Sequence, residues 1–143
     1  MAKRVLTDTC YWLGLINPDD QHHEDSNTIS DLLGNCEVVI PWPCLFETIA
    51  TRLIRRSDRL LLFEKLIKNP SVTLFHDNTY RELALSLVFE SGRRIQGASF
   101  SLTDSIIREI IKDIDVRIDY FITFNNRDFQ DVCDKRNIPI ISK

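Results

Sequence analysis

A few acidic side chains in this sequence stand among residues that acids normally avoid. Asp8 lies between Val5-Leu6 and Tyr11-Trp12-Leu13. Glu47 stands among Leu45, Phe46, Ile49 and Ala50, and Asp104 follows Phe100 and Leu102 and precedes Ile106-Ile107. A carboxylate that needs only water has no use for such neighbours. Gathered together, these groups repel: two unit charges ~4 Å apart cost about 4 kcal/mol at an effective dielectric near 20. A protein that gathers them needs protons or a cation to offset that cost. Hard oxygen donors suit Mg²⁺ or Mn²⁺ better than zinc. The sequence has no His-x-x-x-His pair and no Cys-x-x-Cys pair to compete for the role. The chemistry such a site does well is phosphodiester hydrolysis. One ion lowers the pKa of a water and orients it, and a second, ~3.5–4 Å away, can steady the leaving oxygen.

The elements that must position these groups follow from periodicity. Strands are predicted at Arg4 to Thr7, Glu37 to Ile40, Val72 to Phe75, Tyr120 to Phe124 and Ile138 to Ile141. Helices are predicted over Thr9 to Ile16, over His22 to Leu33 with a Gly34-Asn35 stop, and from Pro43 to about Arg56. Further helices run from Asp58 to before Pro70, from Asp77 or Asn78 to about Phe89, over Ser101 to Ile114 and over Arg127 to Lys135. Arg93 to Phe100 reads as a loop. Strands joined by helical crossovers imply an α/β fold with a mainly parallel sheet covered on both faces. Ligands in such sheets bind beyond the carboxyl ends of the strands. Asp8 follows the first strand directly, and Asn125 to Asp128 follow the fourth. Glu47 lies one to two turns into the helix after the second strand, and Asp104 lies in the first turn of its helix. Asp8, Glu47, Asp104 and Asp128 therefore meet at one sheet edge.

The bulk numbers agree with one globular domain spanning residues 1–143. With 43% hydrophobic and 27% charged residues, the chain can bury a core and keep a wet surface. Its apolar runs are too short to span a bilayer, and no secretory pattern precedes Asp8, so a cytoplasmic location is expected. Cys10, Cys36, Cys44 and Cys133 are expected as free, buried thiols. The net charge of -3 argues mildly against a nucleic-acid binder. A carboxylate site is itself acidic, however, and attracts cations before it meets a phosphate.

The same residues resemble the PIN-domain family, and within it the VapC-like toxin ribonucleases. Val5-Leu6-Thr7-Asp8-Thr9 looks like the family's strand ending in an Asp-Thr or Asp-Ser pair. Pro43-Cys44-Leu45-Phe46-Glu47-Thr48 resembles the motif in which a helix presents a Glu. Ser101-Leu102-Thr103-Asp104-Ser105 is similar to the Ser-Leu-x-Asp segment that opens a helix. Ile122-Thr123-Phe124-Asn125-Asn126-Arg127-Asp128-Phe129 resembles the closing motif, a strand, then Thr, then Asp-x-Asp-Phe. The match runs through nearly the whole chain, in the expected order. It departs at Asn125, where the family has its first closing acid. That leaves Asp128 as the fourth acid, with Asn125 able to offer a carbonyl oxygen, directly or through water.

The resemblance implies a three-layer α/β/α sandwich and Mg²⁺- or Mn²⁺-dependent cleavage of RNA. It implies Asp8, Glu47, Asp104 and Asp128 as metal ligands, with Thr9, Thr123 and Asn125, and also Ser105, in support. It further implies a cognate antitoxin protein as partner and a homodimer. Two rivals stand beside it. One is a domain of the same shape that binds RNA or assembles without cutting, for which Asn125 leaves room. The other is a phosphatase with an aspartyl nucleophile, which expects a second Asp where Cys10 stands.

Other residues bear on substrate. Arg52, Arg55, Arg56 and Arg59 share one helical face if the helix that carries Glu47 continues through Ser57-Asp58, which would make a phosphate-binding patch beside the site or a surface for acidic antitoxin residues. Arg93 and Arg94, near Gly92 and Gly97, read as an exposed loop ahead of Asp104. Trp12 and Trp42 read as core rather than base-stacking platforms. His22-His23-Glu24-Asp25 reads as the exposed start of a helix, because adjacent helical residues point apart.

Overall fold

A computed structural model describes residues 2–94 and 100–143. Its centre is a five-stranded, all-parallel sheet of β1 (Arg4–Thr7), β2 (Glu37–Pro41), β3 (Val72–Phe75), β4 (Tyr120–Ile122) and β5 (Ile140–Ile141). The strand order is β3-β2-β1-β4-β5. β1 is central because it can be: Val5, Leu6 and Thr7 are buried, and only a strand covered on both faces carries such a run. Leu6 stands opposite Val39 on β2 and Phe121 on β4. The chain winds from β1 through β2 to β3, then returns to the other side of β1 for β4 and β5. The order therefore reverses beside β1, at the place where open α/β sheets form their crevice.

The helices are α1 (Thr9–Ile16), α2 (His23–Leu33), α3 (Trp42–Thr48), α4 (Thr51–Ile54), α5 (Ser57–Ile67), α6 (Arg81–Gly92), α7 (Leu102–Lys112) and α8 (Gln130–Lys135). α1 packs against α2, α3 and α5, while α7 packs against α6 and α8. These groups form the outer layers of an α/β/α sandwich, as the sequence predicts. Apolar stripes explain the packing. Ile106, Ile107, Ile110 and Ile111 put four buried branched side chains on one side of α7. α1 and α2 approach closely because of Gly14, where a Cβ would lie 2.4 Å from Ser26 Oγ. Gly34, at φ 46°, ends α2 in the left-handed region that glycine enters without steric cost. A buried polar chain ties α1, β1 and β2 together: Trp12 Nε1 donates to Thr7 Oγ1 (2.8 Å), which donates to the Val39 carbonyl (2.7 Å). Trp12 is thus core, edge-on to Tyr11 and Phe63, whereas Trp42 is only half-buried.

Several boundaries differ from the sequence reading. The predicted helix from Pro43 to Arg56 is broken into α3 and α4, with Ala50 extended at φ -97°, ψ 176°. Thr48 Oγ1 donates to the Cys44 carbonyl at 2.6 Å, and this local bond bends or ends a helix. The buried side chain of Leu53 then anchors α4 on a new course. The arginines are therefore not on one continuous helix. β4 stops at Ile122 and β5 begins at Ile140, both shorter than predicted, while α6 runs on to Gly92. The predicted helix over Arg127 to Lys135 is a 3-10 turn, Asn126–Asp128, followed by α8.

His22 and His23 are half-buried rather than simply exposed. His22 stacks on Phe124 at 4.2 Å between centroids, and His23 Nδ1 pairs with the Gly14 carbonyl at 2.7 Å. The cysteines are free; Cys44 and Cys133 are buried, Cys10 and Cys36 half-buried. Among the described residues, no helix is long and apolar enough to cross a membrane. Arg93 and Arg94 lie at the end of α6 and just beyond it, while Gly97 lies outside the described residues.

Candidate active site

The site is assembled at the carboxyl edge of the sheet, where β1 and β4 end side by side. Asp8 takes the first position after β1 and the N-cap of α1. Its backbone N–H donates to the Ile122 carbonyl (3.1 Å), which pins it to β4. Its carboxylate is buried and fully engaged. Oδ1 accepts from the Thr9 N–H (2.7 Å), while Oδ2 accepts from Thr123 Oγ1 (2.9 Å) and from Cys10 Sγ (3.6 Å). Burial pushes its pKa above the ordinary range and the Glu47 charge adds to that, against the pull of the three hydrogen bonds.

Glu47 enters from α3 and is exposed. Thr9 Oγ1 donates to its Oε1 at 2.6 Å, so α1 aims a side chain that another helix supplies. Asp104 is the third residue of α7. Ser101 caps that helix, its Oγ accepting the Asp104 N–H at 3.1 Å. Asp104 is half-buried and titrates at about 6. Burial is the largest cause, followed by repulsion from Asp8, Glu47 and Asp128. Asp104 thus lies within electrostatic reach of the other three acids singled out in the sequence.

The fourth acid, Asp128, sits at the end of the 3-10 turn after β4. Asn125 Nδ2 donates to its Oδ2 at 2.6 Å, and the Asn125 N–H donates to Thr123 Oγ1 at 3.0 Å. Both Asn125 bonds are made through N–H groups. Thr9 and Thr123 each donate to one carboxylate. Ser105 is buried and lines a different depression, with Phe100 and Arg108.

Two contributors escape the sequence reading. Cys10 bridges Asp8 and the Phe124 N–H, and burial holds its thiol protonated, with a pKa pushed up to about 12. Arg108, one turn beyond Asp104, clamps the closing turn onto α7. Its Nη1 donates to the Asp128 carbonyl (2.6 Å) while Nη1 and Nη2 grip both oxygens of Asp131 (2.7 Å each). Its guanidinium also lies over the Phe100 ring at 4.3 Å. The i+4 spacing from Asp104 is the signal that places Arg108 on the same face.

The donor set is all hard oxygen, and its mutual repulsion calls for a cation, so the residues fit Mg²⁺ or Mn²⁺ in kind. Their present geometry is splayed. Glu47 leans to Thr9, Asp128 to Asn125 and Asp8 to Thr123, and among the described residues no three His, Cys, Asp or Glu side chains are arranged to hold a metal ion.

No protein-family model matches the chain, and no curated protein matches it. A solved structure does. The crystal structure of VapC20 from Mycobacterium tuberculosis, described as a sarcin-ricin loop cleaving toxin, superposes with a TM-score of 0.64. The likeness covers 82% of this chain and 86% of that one, at 18% sequence identity. The chain has a VapC-like PIN fold. At so low an identity the agreement is one of architecture, and it meets the expectation drawn from the four motifs.

Proposed function

We propose that this protein is a divalent-metal-dependent ribonuclease, an endoribonuclease that hydrolyses RNA phosphodiester bonds, and the toxin of a toxin–antitoxin pair. What supports the reading is the buried, hydrogen-bonded carboxylate of Asp8 at the switch point of a fold like that of VapC20, beside Asp104, whose carboxyl is pushed up by burial and by repulsion from Asp8, Glu47 and Asp128. Such a cluster is costly unless something positive joins it. In this reading Asp8, Glu47 and Asp104 hold Mg²⁺ or Mn²⁺, and Asp128 completes the set. The ion, when bound, lowers the pKa of a water and offsets the charge that builds on the phosphate.

The chain's own groups do the rest. Thr123 and the Thr9 N–H fix the rotamer of Asp8. Thr9 Oγ1 holds Glu47 at the mouth of the site, and Asn125 holds Asp128. Closing the set on an ion requires Glu47 and Asp128 to turn from these partners, a rotation of exposed or half-buried side chains that the fold leaves free. The same reading makes residues 1–143 one domain, a homodimer in the cytoplasm, held in check by a cognate antitoxin.

The splayed carboxylates and Asn125 favour one rival, a PIN-like module that binds RNA without cutting it. Cleavage of a mixed RNA pool with Mg²⁺, with Mn²⁺ and with EDTA, for wild type and Asp104→Asn, separates the two. Cleavage that needs the metal and falls to background in the variant is expected. A folded, partner-free protein that leaves RNA intact with either metal would leave the binding module as the answer.

A further inference from the structure

The break between α3 and α4 has a consequence for the arginines that follow it. Arg52 on α4 and Arg55 at its C-cap are exposed, and their side chains have no hydrogen-bond or ion-pair partner among the described residues. Arg56 faces only Asp58, and Arg59 of α5 only Asp19, each at 3.6 Å. All four line one open depression of about 620 Å³ with Asn17 and Thr51. A second depression, of about 240 Å³, shares Asn17, Arg52, Arg56 and Arg59, is lined mostly by apolar side chains such as Leu13, Ile16 and Leu53, and reaches Glu47 and Thr48. The two form a continuous trough that starts among guanidinium groups and ends at a carboxylate of the candidate site. A single continuous helix would have aimed these cations along one face; the turn folds two short helices around a hollow instead.

We propose that this trough binds the sugar-phosphate backbone of single-stranded RNA, seating the phosphates that flank the one to be cut. The inference rests on the ribonuclease reading and adds the direction from which the strand enters, along the α4–α5 side. Charge is the first argument. A polyanion approaching four carboxylates in a chain of net charge -3 is repelled unless local cations guide it. The second is chemistry. The planar guanidinium fork matches phosphate oxygens, and Arg52 and Arg55 surrender no existing partner to make that contact. The third is continuity: the hollow of about 240 Å³ shares three of the arginines with the larger depression and reaches Glu47. An acidic polypeptide would also match the arginines, but nothing about it would call for a trough that leads to Glu47.

The test is a salt titration of binding. Asp104→Asn protein, which cannot cut in this reading, is titrated with a fluorescent single-stranded RNA of about 12 nucleotides. The same measurement is made with Arg52→Gln/Arg55→Gln added, and with Lys65→Gln added as an exposed cation outside the trough. Each lost phosphate contact flattens the slope of log K against log salt by about 0.7. The double variant should therefore bind more weakly, and the affinity it loses between about 50 and 200 mM salt should be roughly sevenfold smaller than the parent's. Lys65→Gln should match the parent, and all proteins should share one circular dichroism spectrum. Equal slopes for parent and double variant, or an equal drop for Lys65→Gln, would overturn the trough as an RNA site. So would polyglutamate displacing nothing from the RNA complex while binding the parent in an Arg52- and Arg55-dependent way. Wild-type cleavage of the same RNA with Mg²⁺, run beside the titration, keeps the two claims apart. Cleavage with unchanged slopes sinks the trough alone; no cleavage with changed slopes sinks the ribonuclease reading and leaves the trough.

Discussion

Asp104→Asn should make the metal-free protein more stable while it abolishes activity. The carboxyl titrates at about 6, because burial and three neighbouring carboxylates disfavour its charge. In an unfolded chain it would titrate near ~3.9. A difference of about 2 pH units corresponds to about 3 kcal/mol between the protonated and charged forms. The side chain is only half-buried, so solvent screening cuts the usable part to roughly 1–1.5 kcal/mol. The folded pKa lies above the unfolded one, so the fold binds this proton more tightly than the open chain does. That stabilisation is fully present below about pH 4 and is lost as pH rises through about 6. Asparagine carries no charge at any pH, so the variant escapes the loss. For a chain of this size the gain amounts to roughly 2–6 °C in Tm at neutral pH. Calorimetry in EDTA at about pH 7.5 and about pH 4 measures it; loss of the Asp104 charge also eases ionisation of its neighbour Asp8, a change of the same sign that adds to the gain at the higher pH. The gain should be present at the higher pH and vanish at the lower. Adding Mg²⁺ should raise the Tm of the wild type more than that of the variant. A variant that melts lower than wild type in EDTA at neutral pH, or a gain that persists in acid, would refute the claim that Asp104 is held against repulsion.

Two further outcomes follow from the packing. Arg108→Gln removes the grip on Asp131 and on the Asp128 carbonyl, so cleavage should fall and the Mg²⁺ needed for half-maximal activity should rise by about 10–100-fold, as is typical when a supporting partner of a metal ligand is lost; a Mg²⁺ titration of activity measures this, and an unchanged titration would mean that the closing turn holds itself. Gly14→Ala places a Cβ 2.4 Å from Ser26 Oγ and 3.1 Å from the His22 carbonyl, so either the Ser26 hydroxyl swings off its bond to the Tyr11 carbonyl or α1 and α2 move apart, at a cost of about 1–3 kcal/mol that urea denaturation would read as a lower midpoint.

What the sequence determines by itself is the set of elements and the identity of the acids. A buried β-strand and an amphipathic helix carry their own periodicity, so Val5-Leu6-Thr7 and the isoleucines of α7 announce their roles locally. An acid placed directly after such a strand, or in the first turn of such a helix, is then assigned to the carboxyl edge by topology alone, and Asp8, Glu47, Asp104 and Asp128 are found there. The tertiary structure decided what depends on partners distant in sequence. Thr9 reaching Glu47, Thr123 reaching Asp8 and Arg108 reaching Asp131 join residues 38, 115 and 23 positions apart, and no local pattern encodes those pairings. It also decided the course of the chain after Glu47. Helix propensity favours continuing through Arg56, but the Thr48 hydroxyl takes the Cys44 carbonyl and the chain resumes as α4 with Leu53 buried. Because the helix breaks there, the arginines that follow line a hollow beside the site instead of one helical face.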